Sequence, residues 1–301
     1  MVVAPYGVGI DPSLVPANVQ RATAEQLQRS QSLDLTDYLN RDFASVSINH
    51  AQNNPLQPDF NFRGFTASPL LGLPQGLAVY QNGVRINDPF GDTVNWDLIP
   101  FSAIDTVQLM AGTQPVFGLN TLGGALSLRM KNGFTFSGTQ GEVYAGSFGR
   151  IGANIQSGGN NDRWGYYANV DYFEEDGWRQ DSHSDALRAF ATVSGRGTDW
   201  TVDLSGGYGD TKLRGNGASP IELLELDRRQ VFTHPDITDN IQKQLILEGS
   251  YKFSEGLQLS GNSFYRDIDT DTFNGDASIF DECDIGGEEF LVDSDFVDVN
   301  G

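Results

Sequence analysis

The chain has 301 residues, of which 35 are glycine and 11% aromatic, a pairing that recurs where short strands are joined by tight turns. Its net charge of −21 is the wrong sign for a phosphate-binding surface, which excludes nucleic acid as a main partner. A single cysteine, Cys283, excludes an internal disulfide framework, and the histidines His50, His183 and His234 lack ligand spacing, so neither a metal site nor a cofactor is implied.

The charge is unevenly spread: residues 1–135 carry 10 acids and 7 bases, residues 136–266 carry 18 and 12, and residues 267–301 carry 12 acids and no base. No apolar run reaches the ~18 residues of a membrane-spanning helix. No basic and then apolar secretory leader precedes residue 20. Neither observation bears on barrel strands, whose only signal is a weak alternation.

In chain order, "LVPANVQ" reads as a short strand, and "TAEQLQRS" as a helix that Thr23 caps with Gln26 three residues on. A second helix is predicted over "SLDLTDYLNRD", with Leu33, Leu35 and Leu39 on its apolar face. After "FASVSIN" and a connector over residues 50–59, strands and loops alternate through "FNFRGF", "LAVYQNGVRI", "DTVQLMAG" and "GALSLRMK". Asn82-Gly83 is a hairpin turn, since both residues tolerate positive φ.

Beyond Gly133 the texture changes to alternating runs. "RWGYYANVDYF" puts Trp164, Tyr166, Ala168, Val170 and Tyr172 on one face, and "DWTVDLSGGYGD" does the same with Trp200, Val202, Leu204 and Tyr208. "IQKQLILEGSYKF" and "LQLSGNSFYRDID" repeat the scheme with Leu245, Leu247 and Tyr251, then Leu257, Leu259 and Tyr265. An apolar face with aromatics near its ends fits a barrel wall in lipid, and a soluble sandwich alternates too with its apolar face inward. Long links are expected at about 210–240, containing the helical "PIELLELDRR", and at 270–301.

Two other clusters point to less. Asp267, Asp269 and Asp271 have the spacing of a calcium loop, but Thr272 and Ser278 stand where its glycine and glutamate belong, so a solvated loop is the better expectation. Glu174-Glu175 and Glu288-Glu289 are sequence neighbours, which on a strand face opposite ways, and that excludes them as paired catalytic carboxylates. No constellation of nucleophile, base and orienting group emerges, so an enzyme is not expected.

The ordered run "FNFRGF … LAVYQNGVRIND … NWDLIPFSAIDTVQLMAG … VFGLNTLGGALSLRMK" resembles the plug domain of TonB-dependent outer-membrane receptors. The resemblance implies an α+β plug over residues 13–132 followed, over 136–301, by antiparallel transmembrane strands of an incomplete β-barrel. Residues 1–12 would be an N-terminal extension, with "MVVAP" standing where a remnant of the TonB box is expected. It further implies an outer-membrane protein of a Gram-negative bacterium, with lipid and the inner-membrane TonB complex as partners. The ligand would be small and extracellular: a ferric siderophore, haem, cobalamin or similar.

Carried over by position, Arg63, Gly64 and Phe65 match the plug's RGF, and Asn82-Gly83 an Asp-Gly. Gly112, Phe117-Gly118, Gly123-Gly124 and Lys131 match later motif positions, and these residues imply plug–barrel contacts. Gln108 and Ala111 replace a Glu and an Arg that help lock many plugs, so a different polar latch is expected. Loops 65–75 and 87–96 would be apical, offering Phe65, Leu70, Asp88, Phe90, Asp92, Asn95 and Trp96 as ligand-contact candidates.

An ~8-stranded barrel is filled by its own side chains, and the 166 residues from 136 to 301 supply seven or eight strands at most. The chain is therefore expected to be an N-terminal piece of a longer receptor. The rival expectation, from another class, is a soluble or surface β-rich binding module such as an adhesin or carbohydrate-binding domain.

Overall fold

A computed structural model describes residues 18–113 and 117–275, and the backbone alone of residues 2–3, 9–10, 280–285 and 288–293. Val2–Val3 (β1) pairs with Gly9–Ile10 (β2), and most of "MVVAP" lies outside the described residues. An N-terminal unit follows, lying against the concave side of a seven-stranded wall.

The unit opens with Val19–Thr23 (β3), Ala24–Ser30 (α1) and Leu35–Asp42 (α2). Gln26 Oε1 accepts from the Thr23 backbone N at 2.9 Å, satisfying an amide that a helix start orphans. The second helix is capped by Asp34, whose Oδ1 accepts from Asp37 N at 2.9 Å and Thr36 Oγ1 at 2.7 Å. Leu35, Tyr38 and Leu39 are the buried face of α2, whereas Leu33 precedes the helix and is only partly buried.

Val46–Asn49 (β4), Asp59–Phe62 (β5) and Phe65–Ala67 (β6) form a small antiparallel sheet. Arg63 and Gly64 turn β5 into β6 with φ of 53° and 85°. A second sheet joins Leu77–Gln81 (β7), Val84–Arg85 (β8), Ile104–Ala111 (β9) and Gly124–Met130 (β10) in the order β3-β9-β10-β7-β8, with β10 parallel to β7. Asn82 and Gly83 carry φ of 47° and 75°, the left-handed pair that a two-residue hairpin requires. Between the sheets and helices sits one core, including Leu39, Phe60, Phe62, Trp96, Leu126 and Leu128, and the wall adds Tyr167 and Phe190 to it.

The wall is a meander of Gly138–Ala145 (β11), Ile151–Asn160 (β12), Trp164–Glu175 (β13), Ser184–Arg196 (β14), Trp200–Gly215 (β15), Asp236–Ser254 (β16) and Leu257–Asn274 (β17). Each strand pairs antiparallel with the next, and the sheet is unclosed, with β11 and β17 at its edges. Turns at 161–163, 197–199 and 255–256 are short, and the links at 146–150, 176–183 and 216–235 gather at the other end. The strands outrun the expected ten residues, so the link predicted at 210–240 spans 216–235, with the single helical turn Ile221–Leu226 (α3) inside it. Asp267, Asp269 and Asp271 are in strand β17, not in a loop, because the outward alternation simply continues past the apolar band. Phe280–Ile285 (β18) and Glu288–Asp293 (β19) form a hairpin within the link expected at 270–301.

The two faces of the wall differ sharply. Tyr166, Val170, Leu187, Val193, Leu204, Leu245, Leu247 and Leu259 are exposed on the convex side, while Asn169, Arg188, Thr192, Ser205, Gln242 and Gln244 are buried on the concave side. The convex band starts at Trp164, Trp200 and Tyr251 near the short turns and ends at Tyr172, Tyr208 and Tyr265, beyond which Glu174, Asp210, Lys212, Lys243 and Asp267 take over. From Trp164 to Tyr172 a strand advances about 27 Å, which after the usual tilt approaches the apolar height of an outer-membrane barrel. The chemistry alternates as it would with hydrocarbon outside and protein inside. Among the described residues no helix is long and apolar enough to cross a membrane, which says nothing of strands.

Candidate functional site

Two regions are candidate sites: the seam between unit and wall, and the end of the unit that points toward the long links. The seam is a set of polar bonds, each uniting a loop or strand end of the unit with the concave face.

At its centre is Asp97, 1% exposed, in the short helical turn Trp96–Leu98. Asp97 Oδ2 accepts from Thr211 Oγ1 on β15 at 2.6 Å and from Asn240 Nδ2 on β16 at 2.9 Å. Asn240 is itself oriented by Thr270 on β17, which donates to its Oδ1 at 2.8 Å. Arg188 on β14 donates to the carbonyls of Asp97 and Ile99 at 3.2 and 3.4 Å and forms an ion pair with Asp171 of β13 at 2.7 Å. Three neighbouring strands thus grip one turn of the unit, with β13 and β17 bonded behind them. Burial pushes the Asp97 carboxyl up from its ordinary range, while the bonds from Thr211 and Asn240 and the nearby Arg188 pull it back.

Lys131 closes the unit's last strand. Its Nζ donates to Ser102 O at 2.7 Å and to Gln156 Oε1 of β12 at 2.9 Å, and Tyr167 OH shares that same oxygen at 2.9 Å. Burial lowers its pKa to about 8, with Asp105 opposing the shift. Arg129 meets Glu248 of β16 at 2.7 Å. Arg266 of β17 donates to the carbonyls of Ile86 and Asn87 at 2.6 and 3.1 Å. At the long-link end, Asn54 Nδ2 donates to Ser184 Oγ at 2.8 Å and Asn53 Nδ2 to Asn216 Oδ1 at 3.1 Å. A cavity of about 460 Å³ separates α1 and α2 from the wall, lined in part by Leu27, Lys131, Tyr144, Arg150, Asp171 and Arg188.

The motif residues divide between seam and interior. Arg63 is exposed at its hairpin, its guanidinium 5.3 Å above the Phe62 ring, and no described bond to the wall runs through it. Gly64, Gly112 and Gly118 hold φ of 85°, 85° and 75° in turns. Phe65 lies on Gly76 and Gly123, where an added Cβ would come within 2.7 and 2.4 Å of its side chain. At Gly124, with φ of 147°, a Cβ would fall 2.1 Å from Met110 O. Asn82 accepts from Met130 N at 2.8 Å, and Gly83 O accepts from Asn262 of β17 at 3.3 Å.

Of the ligand-contact candidates, Trp96 is corrected. It is 5% exposed, packs on Phe60 with centroids 5.5 Å apart and donates to Ala67 O at 3.2 Å, so it is core. Phe90 is 76% exposed. Leu70, Asp88 and Asn95 are half-buried, Asp88 turning back to accept from Phe90 N at 2.9 Å. Asp92 is held by Arg85 at 2.6 Å and by Asn120. The sequence reading missed Asp97, Arg188, Thr211 and Asn240. One signal was present: Asp171 and Arg188 share the face of small polar residues on adjacent strands, where charges need partners.

The family model described as TonB-dependent Receptor Plug Domain matches residues 11–125. Among solved structures, the ferric citrate transporter FecA, in its unliganded form, is similar with a TM-score of 0.72 at 14% identity over 87% of this chain and 41% of its own. FyuA, the ferric yersiniabactin uptake receptor from Yersinia pestis, is similar with a TM-score of 0.67 at 14% identity over 87% and 42%. BauA, the ferric preacinetobactin receptor from Acinetobacter baumannii, is similar with a TM-score of 0.66 at 16% identity over 86% and 39%. The chain therefore spans about 40% of the length of the structures it matches. No curated protein matches the sequence.

Proposed function

The chain carries the plug domain of TonB-dependent receptors with the first wall strands of their fold behind it, and from that premise we propose that it serves as an outer-membrane receptor for energised uptake of a scarce small ligand. The observation that carries the reading is the pairing of a matched plug with a wall that is apolar outside and polar toward the plug. That face contrast disfavours a soluble adhesin or carbohydrate-binding module, which would bury its apolar face. The family and fold are those of receptors and transporters, not of enzymes.

The ligand class we propose is a ferric chelate, in line with the ferric ligands named for the similar receptors. TonB of the inner membrane would supply the work, and residues 1–12 are the proposed approach to its grip. The short turns then face the periplasm and the long links the outside. The seam would hold the plug at rest, and a pull on the N-terminus would have to break or slide it. The test is fractionation and uptake in the native host: the protein should enter the outer-membrane fraction, resist extraction without detergent, and confer uptake of a radioactive ferric chelate that disappears without TonB. Uptake unchanged by deletion of the gene, across ferric chelates, haem and cobalamin, refutes the proposal.

A further inference from the structure

The end of the plug that points to the long links has an unusual chemistry for a site that would take a ferric complex. Gly83 meets Asn262, whereas Ile86 and Asn87 meet Arg266, four residues further along β17 and away from its short turn. The chain continues in that direction into the loop around Phe90.

Three loops are fastened together there. Val94 N donates to Ser68 O at 2.9 Å, a Cβ on Gly91 would fall 2.4 Å from Leu71 Cδ2, Asn120 bonds Asp92, and Phe65 lies on Gly123. The fastened loops leave Leu71, Phe90, Leu119 and Leu122 exposed at 61, 76, 82 and 59%. Exposed apolar groups clustered in this way mark binding surfaces more often than scattered ones.

Charge narrows what such a surface could bind. Residues 65–76, 86–97 and 117–124 contain no Lys or Arg, and their acids outside the buried seam are Asp88 and Asp92, since Asp97 is only 1% exposed. The bases that reach these loops are committed: Arg85 to Asp92, Arg266 to the carbonyls of Ile86 and Asn87, and Arg188 to the carbonyl of Asp97 and to Asp171. In the links at the same end, Arg150 is committed to Glu175, Arg179 to Gly217 O, Gln230 O and Ser219, and Arg229 to Asp227, while Arg228 is exposed in the 216–235 link. A polyanion placed on this floor would lose hydration and find no Lys or Arg in the three loops that form it to offset the loss.

We propose that the floor formed by Leu71, Phe90, Leu119 and Leu122 selects a ferric chelate that is neutral or cationic and presents an apolar face to the plug. The inference rests on the receptor reading and sharpens it, since it separates this chain's ligand from polyanionic complexes such as ferric citrate. Neutral or cationic ferric trihydroxamates have the required charge, and their carbon linkers supply the apolar face.

The test is binding of radioactive complexes to energy-depleted cells carrying the receptor as its gene encodes it, which separates binding from transport. A cationic ferric trihydroxamate should bind at least tenfold more tightly than a trianionic ferric tricatecholate. Phe90→Ala and Leu119→Ala should each weaken the trihydroxamate about tenfold, the scale of one buried apolar side chain. Leu119→Lys should narrow the gap by strengthening the tricatecholate. Because these side chains are exposed, the variants should reach the outer membrane in normal amounts. Equal or tighter binding of the trianion, or indifference to all three substitutions, overturns the inference and leaves the receptor reading standing. Failure to bind any ferric complex overturns both.

Discussion

Asp97→Ala tests whether the seam is the latch that holds the plug. The substitution removes the acceptor of two bonds whose donors, Thr211 Oγ1 and Asn240 Nδ2, stay buried at 0 and 1% exposure. Each stranded donor costs about 1–3 kcal/mol, offset in part because a buried carboxyl no longer has to be desolvated. A net loss of about 2–3 kcal/mol follows, a rise of roughly 30- to 150-fold in the population of the undocked turn. Asp97→Asn behaves differently: with its amide oxygen in the place of Oδ2 it still accepts from both Thr211 Oγ1 and Asn240 Nδ2, and its nitrogen takes the place of Oδ1, so both contacts survive. Folding raises the Asp97 pKa, so the folded state holds the proton more tightly. Its contribution is full below the ordinary carboxylate pKa and declines as pH rises through the raised value. Docking of the native turn should therefore tighten as pH falls toward 4, and the Asn variant should lose that dependence. Amide exchange read by mass spectrometry over residues 94–104, in detergent, measures the opening. Unchanged exchange in the Ala variant would falsify the latch.

Lysine titration followed by NMR after isotopic dimethylation should show Lys131 titrating near the value of about 8. Its folded pKa is depressed, so the cost of burying the charge is present below that value and is relieved as pH rises toward 10.5; no lysine titrating below about 9.5 would refute the buried placement. Gly124→Ala should destabilise the plug by about 3 kcal/mol or more, since both its φ of 147° and the approach of Met110 O exclude a methyl group, and Gly118→Ala, with open space around it, by about 1 kcal/mol. Thermal melts that rank the two the other way contradict the packing argument. In bilayers of brominated lipid, single-tryptophan variants keeping Trp164 or Trp200 should be quenched and one keeping Trp96 should not; equal quenching would place the wall's apolar face elsewhere.

How much of this was legible in the sequence depended on the range of the interaction. The Asn82-Gly83 turn, the Thr23 cap and the two faces of Trp164–Tyr172 are local, and local rules found them. Strand ends beyond Gly209 were not legible, because outside the apolar band Asp210, Lys212 and Arg214 alternate with residues that look like a loop. Trp96 was misjudged because an aromatic in a loop reads the same whether it faces a ligand or Phe60. Asp97 went unseen because its partners lie 114 and 143 residues away.

Those distant partners also say why the plug and wall specify one another. Thr211 and Asn240 are directly paired in the β15–β16 register, and Asn240 with Thr270 in the next. Side chains alternate between faces, so a slip of one residue along β15 would turn Thr211 outward and bring Asp210 or Lys212 to the seam. Asp210 would set a second carboxylate against Asp97, which costs far more than a lost hydroxyl bond, and Lys212 would force a long chain into the fully buried space of the Thr211 hydroxyl. The wall's own apolar band already penalises such a slip, since it would carry Leu204 and Tyr208 inward and Ser205 and Gly209 out. Plug docking adds an independent penalty at the same strands. A wall with the wrong register therefore both loses its apolar outer face and misfits its plug, and the sequence needs few residues to encode both constraints.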